Sequence, residues 1–234
     1  HLGALSTFFN FAQRKRAIRV NPLRLVPKMP VVRNRIPRTL NGAQIESLLK
    51  EAERKVPYLG RGKKGMGNSR ARITPLADMI RFILNTGARL GEMLYLEWDD
   101  VDLAHEMIHF KNKPEHTLKD REDRKVGANP VVLELLRRRR LSGGLKRWVF
   151  PNALGGILGR ENALRELKIV TDRAGVAWAN FQVLRRTFLT TCAIAGVPSF
   201  VLKSMAGHAS VKTTETYYVG AVGSSQWKPP VVGA

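Results

Sequence analysis

Cysteine is nearly absent from this 234-residue chain, where Cys192 stands alone. An intramolecular disulfide is therefore excluded, and the usage fits a reducing compartment such as the cytoplasm. Cys192 falls on the apolar side of a helical pattern, where a small buried hydrophobe is the ordinary role. No apolar run approaches the ~18 residues of a membrane-crossing helix, so no membrane span is expected. Acidic side chains are scarce too: 19 against 40 lysines and arginines, for a formal charge of +21 and a pI near 10.9. Such an excess favours a polyanionic partner, nucleic acid first, with a ribosomal-type or membrane-surface basic protein as the alternatives. Hydrophobic residues make up 44% of the chain, enough for one or two domains with a proper core. The chain begins at His1, without Met and already inside a helical pattern, which reads as a fragment of a longer protein.

From the start, Leu5, Phe8, Phe9 and Ala12 make one face of a helix that ends in Arg14-Lys15-Arg16 and is broken by Asn21-Pro22. Residues 27–38, PKMPVVRNRIPR, combine three prolines with four basic side chains, Arg33, Arg35 and Arg38 among them, which describes an extended, positively charged linker. Asn41 and Gln44 form a capping-box variant ahead of the periodic Ile45, Leu48 and Leu49. The stretch GRGKKGMGNSRAR at 60–72 has no apolar period. It reads as a loop that orders on phosphate contacts through residues such as Lys63 and Lys64, or as a solvated insertion. Leu76, Met79, Ile80, Ile83 and Leu84 outline an amphipathic helix ending at Gly87, with the next helix starting near Arg89. Ile108, Phe110 and Val126 suggest short strands joined by the charged excursion KNKPEHTLKDREDRK. Helices are expected from 130 to about 139 and from about 160 to 174, with WVFP at 148–151 extended and a Gly/Pro/Ser-rich tail at 220–234. The sum is a mainly α (α+β) fold with a small antiparallel β-sheet.

The most informative stretch is FQVLRRTFLTTCAIAGVPSFVLKSMAGHASVKTTETYY, residues 181–218. Val183, Leu184, Thr187, Phe188, Thr191, Cys192 and Ala195 recur at helical spacing and are expected to face inward, with Arg185 at the edge of that stripe. Gly196 stops this helix, Pro198 and Ser199 start a second short one, and Gly207 ends it, so His208 stands on the turn just past a helix C-terminus. Taken alone, such a histidine is a C-terminal cap and Tyr217 a core or interface aromatic.

Together, however, Arg185, Gly207-His208, Thr213-Thr214 and Tyr217 resemble the C-terminal signature of the tyrosine recombinases, the phage integrase family. The intervals, 23 residues from Arg185 to His208 and 9 from His208 to Tyr217, are similar to that family's. NTGARLGEMLYLEWDDVDL at 85–103 resembles the family's other arginine box, with Arg89 as the arginine and Glu92 as the acidic residue. The resemblance implies a helical catalytic domain at 39–219 and a flexible tail at 220–234. Ahead of them it implies the last helix of a truncated core-binding domain at 1–26 and a linker, 27–38, that runs along the DNA backbone.

The resemblance also implies an activity, the site-specific cutting and rejoining of double-stranded DNA. Tyr217 would attack phosphorus, leaving a 3′-phosphotyrosyl link and a free 5′ hydroxyl. The bond energy stays in that link, so neither metal nor cofactor is implied. Arg89 and Arg185 would hold the scissile phosphate, a task suited to planar, permanently charged forks. Arg186 is the neighbouring rival for the second of these places. His208 would hydrogen-bond the phosphate and Glu92 would orient Arg89. Lys119, in TLKDREDRKV, would protonate the leaving oxygen, with Lys111, Lys113 and Lys125 as competitors. Arg33, Arg35, Arg38, Lys63, Lys64 and Arg186 are the expected contacts to the DNA backbone. Four protomers on synapsed DNA form the expected working unit, with the isolated chain a monomer in the cytoplasm of a bacterium or encoded by a phage or mobile element. One position departs from the pattern: the family's His-x-x-Arg reads QVLR here, with Gln182 in the histidine's place. Glutamine donates a hydrogen bond but carries no proton at neutral pH. A non-catalytic or impaired DNA-binding relative is therefore the alternative reading, and topoisomerases that link to a 3′ end share the chemistry.

Overall fold

Asn21 organises the first of the two units into which the chain divides, His1–Arg35 and Ile36–Ala234. The computed structural model describes residues 2–26, 38–54, 75–118, 122–143, 147–208, 213–215 and 217–218. In the first unit α1 (Leu2–Arg14) stops ahead of the Asn21-Pro22 break, where Arg16 takes the left-handed φ of 58°. Asn21 is 2% exposed, caps the short helical turn Pro22–Arg24 through its side-chain oxygen, and donates to Asn10 Oδ1 at 2.9 Å. One side chain thus folds the returning strand of chain onto α1. No α1 residue is buried, and Leu5 and Phe8 of the expected apolar face are exposed.

The second unit starts at a capping box. Asn41 Oδ1 accepts from the Gln44 amide at 2.9 Å and Gln44 Oε1 accepts from the Asn41 amide at 3.0 Å, which satisfies two of the orphan donors of α2 (Gly42–Glu53). The central element is α3 (Leu76–Thr86), which buries Leu76, Met79, Ile80, Phe82 and Ile83 and packs against α2, α5 (Pro130–Gly143) and α7 (Phe181–Ile194). Phe82 meets Phe150 edge to face at 5.2 Å. A five-residue helix, α4 (Leu90–Leu94), follows, then an antiparallel sheet in the order β1 (Val101–Asp102), β2 (Met107–Phe110), β3 (Arg124–Gly127). Ile108 pairs with Val126 and Phe110 with Arg124, so these four side chains share the buried face. The expected extended piece at 148–151 contributes isolated bridges, Trp148 to Glu97 and Pro151 to Ile157. Helices α6 (Arg160–Arg173) and α8 (Ser199–Ala206) complete the described frame, and 213–215 and 217–218 are helical. No helix is long and apolar enough to cross a membrane among the described residues. Of the expected contacts to DNA and substrate, Arg33, Arg35, Lys63, Lys64 and Lys119 lie outside the described residues, as does the tail at 220–234.

The inward face of α7 departs from the expected stripe. Arg185 is 9% exposed rather than at the edge, and Leu189 and Ala193 carry the buried side onward while Thr191 and Ala195 are exposed. The reason is a second, smaller core. Leu189, Ala193, Leu202 and Ala206 cluster between α7 and α8, with Phe188, Cys192, Val197, Tyr217 and Tyr218 packed against them. Burial in this cluster pushes the Cys192 thiol up, which suits packing and disfavours a nucleophilic thiolate.

Gly87 ends α3 in the left-handed conformation, φ 64°, and a Cβ there would lie 2.5 Å from Phe188 Cδ1. Gly87→Ala should therefore cost ~2 kcal/mol or more, ~1–2 for the backbone and the rest for displacing the ring. For a unit of this size that lowers the melting temperature by roughly 4–8 °C. Gly127→Ala, where a Cβ meets nothing within 4 Å, should shift it little in the same thermal scan.

Candidate active site

Two helix C-termini converge on a set of arginines. The last carbonyls of any helix lack intrahelical donors and carry the negative end of its dipole, so guanidinium groups are fitting partners. Arg185, on α7, donates from Nη1 to the Gly87 carbonyl at 2.5 Å and from Nη2 to the Ala206 carbonyl. One fork thus ties the end of α3 to the end of α8. Arg89 donates from Nη2 to the Gly207 carbonyl at 2.6 Å and from Nη1 to Glu92 Oε1 at 3.0 Å. Arg124, on β3, donates from Nε to the Met205 carbonyl at 3.0 Å.

Glu92 lies at the centre of this set, its side chain 1% exposed. Its position in the first turn of α4 lets Oε2 accept from the Arg89 amide at 2.6 Å, the second half of a capping box. Arg124 grips both carboxylate oxygens, Nη1 to Oε1 at 2.5 Å and Nη2 to Oε2 at 2.7 Å. Burial works to raise this carboxyl, but the Arg124 bonds and charge, the Arg89 amide and the Arg185 charge outweigh it and hold Glu92 below the ordinary carboxylate value. Arg185 is shifted in the opposite sense. Burial first, then the like charge of Arg89, lowers its guanidinium to about 10, and the attraction of Glu92 and Tyr217 does not make up the difference. Three guanidiniums around one carboxylate leave this pocket of the protein with positive charge in excess, which is the signature of an anion site.

His208 follows directly. Gly207 caps α8 with φ 59°, and the chain turns so that the His208 ring stacks on the Tyr217 ring at 5.9 Å, the planes 13° apart. His208 Nδ1 lies 3.0 Å from the hydroxyl of Thr214, itself fully buried. Three consecutive residues at the end of α8 thus meet three of the residues that the sequence singled out: Ala206 meets Arg185, Gly207 meets Arg89, and His208 meets Tyr217. Tyr218 faces elsewhere, its hydroxyl donated to the Val197 carbonyl.

The remaining sequence-based assignments divide. Of the adjacent arginines, Arg185 turns to Gly87 and Ala206, whereas Arg186 donates to the Arg38 carbonyl at 3.3 Å. Arg38 itself is exposed, its guanidinium 5.9 Å from the Trp178 ring. Gln182 is exposed in the first turn of α7, its amide N–H taken by the capping Asn180 side chain. Two competitors for the lysine role are engaged away from the arginines. Lys113 binds the Tyr95 carbonyl, Glu97 and Asp100, and Lys111 pairs with Asp100 at 3.3 Å. Lys125 lies on the exposed face of β3, opposite His109. Arg124 escaped the sequence reading. It sits in a run of charges whose alternation, Arg124 and Val126 in, Lys125 and Gly127 out, is visible only once the strand is known. Among the described residues no three His, Cys, Asp or Glu side chains gather as a metal site requires.

The sequence profile of the phage integrase family matches residues 38–222. The tyrosine recombinase XerC of Herpetosiphon aurantiacus is 27% identical over 218 residues, 92% of this chain and 66% of that protein. The tyrosine recombinase XerD of Mycobacterium tuberculosis is 29% identical over 199 residues, 80% of this chain and 58% of that protein. The chain therefore spans less than two thirds of the length of these relatives. Among solved structures, the Tn1549 transposon integrase in complex with transposon right end DNA has a TM-score of 0.69 at 18% identity, covering 94% of this chain and 73% of that one. A lambda integrase dimer bound to a COC′ core site gives 0.65 at 13% identity, covering 99% and 74%. At such identities the likeness is one of fold.

Proposed function

This chain belongs to the phage integrase family, and on that premise we propose that it is a tyrosine-type site-specific recombinase acting on double-stranded DNA. The observation that carries the proposal is the end of α8, where Ala206, Gly207 and His208 bring Arg185, Arg89 and Tyr217 to one place. Each terminal nitrogen of Arg185 bears a second N–H beyond the one given to a backbone carbonyl, and these are the donors proposed for the scissile phosphate. Arg89 binds the same phosphate, oriented by Glu92. Burial first and then the neighbouring positive charge lower the Arg185 guanidinium, and a phosphate would offset that charge.

In the proposed reaction the Tyr217 oxygen attacks phosphorus, a bond forms to the phenolic oxygen, and the bond to the 5′ oxygen breaks. The phenolic proton leaves to a neighbouring base or water, and Lys119 gives the 5′ oxygen its proton. His208, held by Thr214, donates to a phosphate oxygen. Religation is the same path reversed with a different 5′ hydroxyl. The working unit is proposed to be a tetramer on two synapsed duplexes, without metal or cofactor, in the cytoplasm. Residues 1–26 are read as the end of a core-binding domain, and Arg33, Arg35, Arg38, Lys63, Lys64 and Arg186 as contacts to the DNA backbone. The test is a nicked duplex carrying the element's own junction, from which the released fragment diffuses away. The proposal expects a protein–DNA adduct on a denaturing gel, and binding without any adduct would favour the non-catalytic relative suggested by Gln182.

Gln182 stands near the positive end of α7, two residues past its N-cap, where a protonated imidazole is disfavoured. A histidine there would be mostly neutral and, like glutamine, act chiefly as a hydrogen-bond donor. Gln182→His is therefore expected to change single-turnover cleavage by less than ~100-fold in either direction, the usual scale of a proton-transfer contribution. Gln182→Ala should cost more than the histidine change, since a preorganised donor at a developing charge is worth ~3–4 kcal/mol. An alanine variant that cleaves as fast as the natural protein would remove Gln182 from the site.

A further inference from the structure

We propose that Arg124 is a positioning residue for strand cleavage: through Glu92 it sets the orientation of the Arg89 guanidinium, and through Met205 it fixes the end of α8 that presents His208. The inference rests on the recombinase reading and adds to it a residue on a separate element. The geometry is specific to a guanidinium. Its three nitrogens are all committed, Nη1 and Nη2 to the two oxygens of Glu92 and Nε to the Met205 carbonyl. The side chain is 7% exposed and lies over the Phe110 ring at 4.5 Å, its cross-strand neighbour on β2. Its stem also runs beside Gly207, where a Cβ would come within 3.2 Å of Arg124 Cδ. Arg124 therefore touches the arginine box through Glu92, the histidine turn through Met205 and Gly207, and the sheet through Phe110. In sequence it follows the proposed proton donor, Lys119, by five residues.

Glu92 offers two oxygens and receives four N–H groups: the Arg89 amide, Arg89 Nη1, and both terminal nitrogens of Arg124. With Arg124 holding both oxygens, Arg89 reaches Glu92 with Nη1 alone and keeps Nη2 on the Gly207 carbonyl. Without Arg124 the buried carboxylate keeps one hydrogen-bonded guanidinium, and its second oxygen, left with the Arg89 amide alone, draws the Arg89 fork toward it. That rotation withdraws Nη2 from Gly207 and turns the fork away from the phosphate position. Misplacement of a positioning group by about an ångström is enough for a ~100-fold loss of rate.

The experiment compares the natural protein, Arg124→Met, Arg124→Lys and the double variant Arg124→Met/Glu92→Gln. Its readouts are single-turnover cleavage of the nicked substrate, thermal stability, and cleavage against pH from 4 to 8. Arg124→Met leaves a buried charge short of a partner and is expected to lose stability. The double variant removes that charge and should regain stability, yet it should stay ~100-fold or more slower in cleavage because no carboxylate then orients Arg89. Arg124→Lys restores the charge without the three-way fork and should remain slow. The acid limb of Arg124→Met should move up, because the carboxyl that faces Arg89, Arg124, Arg185 and His116 has lost its strongest partner and takes up a proton more readily. That limb should vanish in the double variant, which keeps His116 but lacks the carboxylate. Cleavage by the double variant within about threefold of the natural rate would overturn the proposal and leave Arg124 a structural residue. If the natural protein itself forms no adduct, the recombinase reading fails separately. Arg124 is then decided by binding to duplexes carrying a phosphate or a neutral methylphosphonate at the cleavage position. Arg124→Met should lose the preference for the phosphate, and an unchanged preference would overturn the role.

Discussion

Tyr217→Phe should abolish the covalent adduct while leaving affinity for the junction DNA nearly unchanged. The substitution removes one oxygen. The ring that stacks on His208 and packs between α7 and α8 stays, so the fold has little reason to respond. The proposed nucleophile, in contrast, is lost entirely, and no oxygen on phenylalanine replaces it. Tyr218→Phe is the informative partner. Its hydroxyl is donated to the Val197 carbonyl, so its loss should cost about 1 kcal/mol of stability and spare the adduct. A reversed outcome, with adduct from Tyr217→Phe and none from Tyr218→Phe, would shift the nucleophile by one residue. The measurement is the yield of adduct on a denaturing gel beside DNA affinity by anisotropy.

The second large effect is expected at Arg185. Arg185→Ala should slow cleavage by at least ~1000-fold, since it removes the two charged donors proposed for the phosphate and each such donor is worth ~100-fold or more. The cost to folding is smaller. Two buried carbonyls, those of Gly87 and Ala206, lose their donors at about 1–3 kcal/mol each, partly offset because an unfavourably buried cation is gone. Against a typical 5–15 kcal/mol the variant should remain folded at 25 °C. The sign of the pH effect follows from the guanidinium being lowered, by burial first, to about 10 in the fold. Its charge weighs against the folded state below pH ~10, and that penalty fades only as pH rises above 10 toward the ordinary guanidinium range, outside the working range. At neutral pH the penalty is present in full, so a bound scissile phosphate should raise the melting temperature of the natural protein more than that of Arg185→Ala. Equal shifts in a thermal scan with junction DNA would place Arg185 away from the phosphate.

The parts of this site that were legible in the sequence are the local ones. Gly87 and Gly207 are helix-ending glycines with positive φ, Asn41 and Gln44 a capping box, and Arg89 and Glu92 a three-residue interval, all readable over a few positions. What stayed hidden depends on partners far along the chain. The burial of Arg185 follows from two helix ends, at Gly87 and Ala206, that no periodicity places side by side. Thr191 and Ala195 fit the apolar period yet are exposed, because beyond Arg185 the helix leaves the main core and packs on α8 along Leu189 and Ala193 instead. Arg124 was lost in a run of charges where a solvated hairpin is the ordinary reading. Its burial needs Glu92, which lies 32 residues earlier. β1, two residues long, is too short to show any alternation.

The most direct test of the central claim is to trap the adduct on the nicked substrate, digest the protein, and find by mass spectrometry which peptide carries the 3′-phosphate. One modified peptide is expected, linked through the oxygen of Tyr217. A link through any other residue, or no modified peptide from a protein that binds the junction, would contradict it.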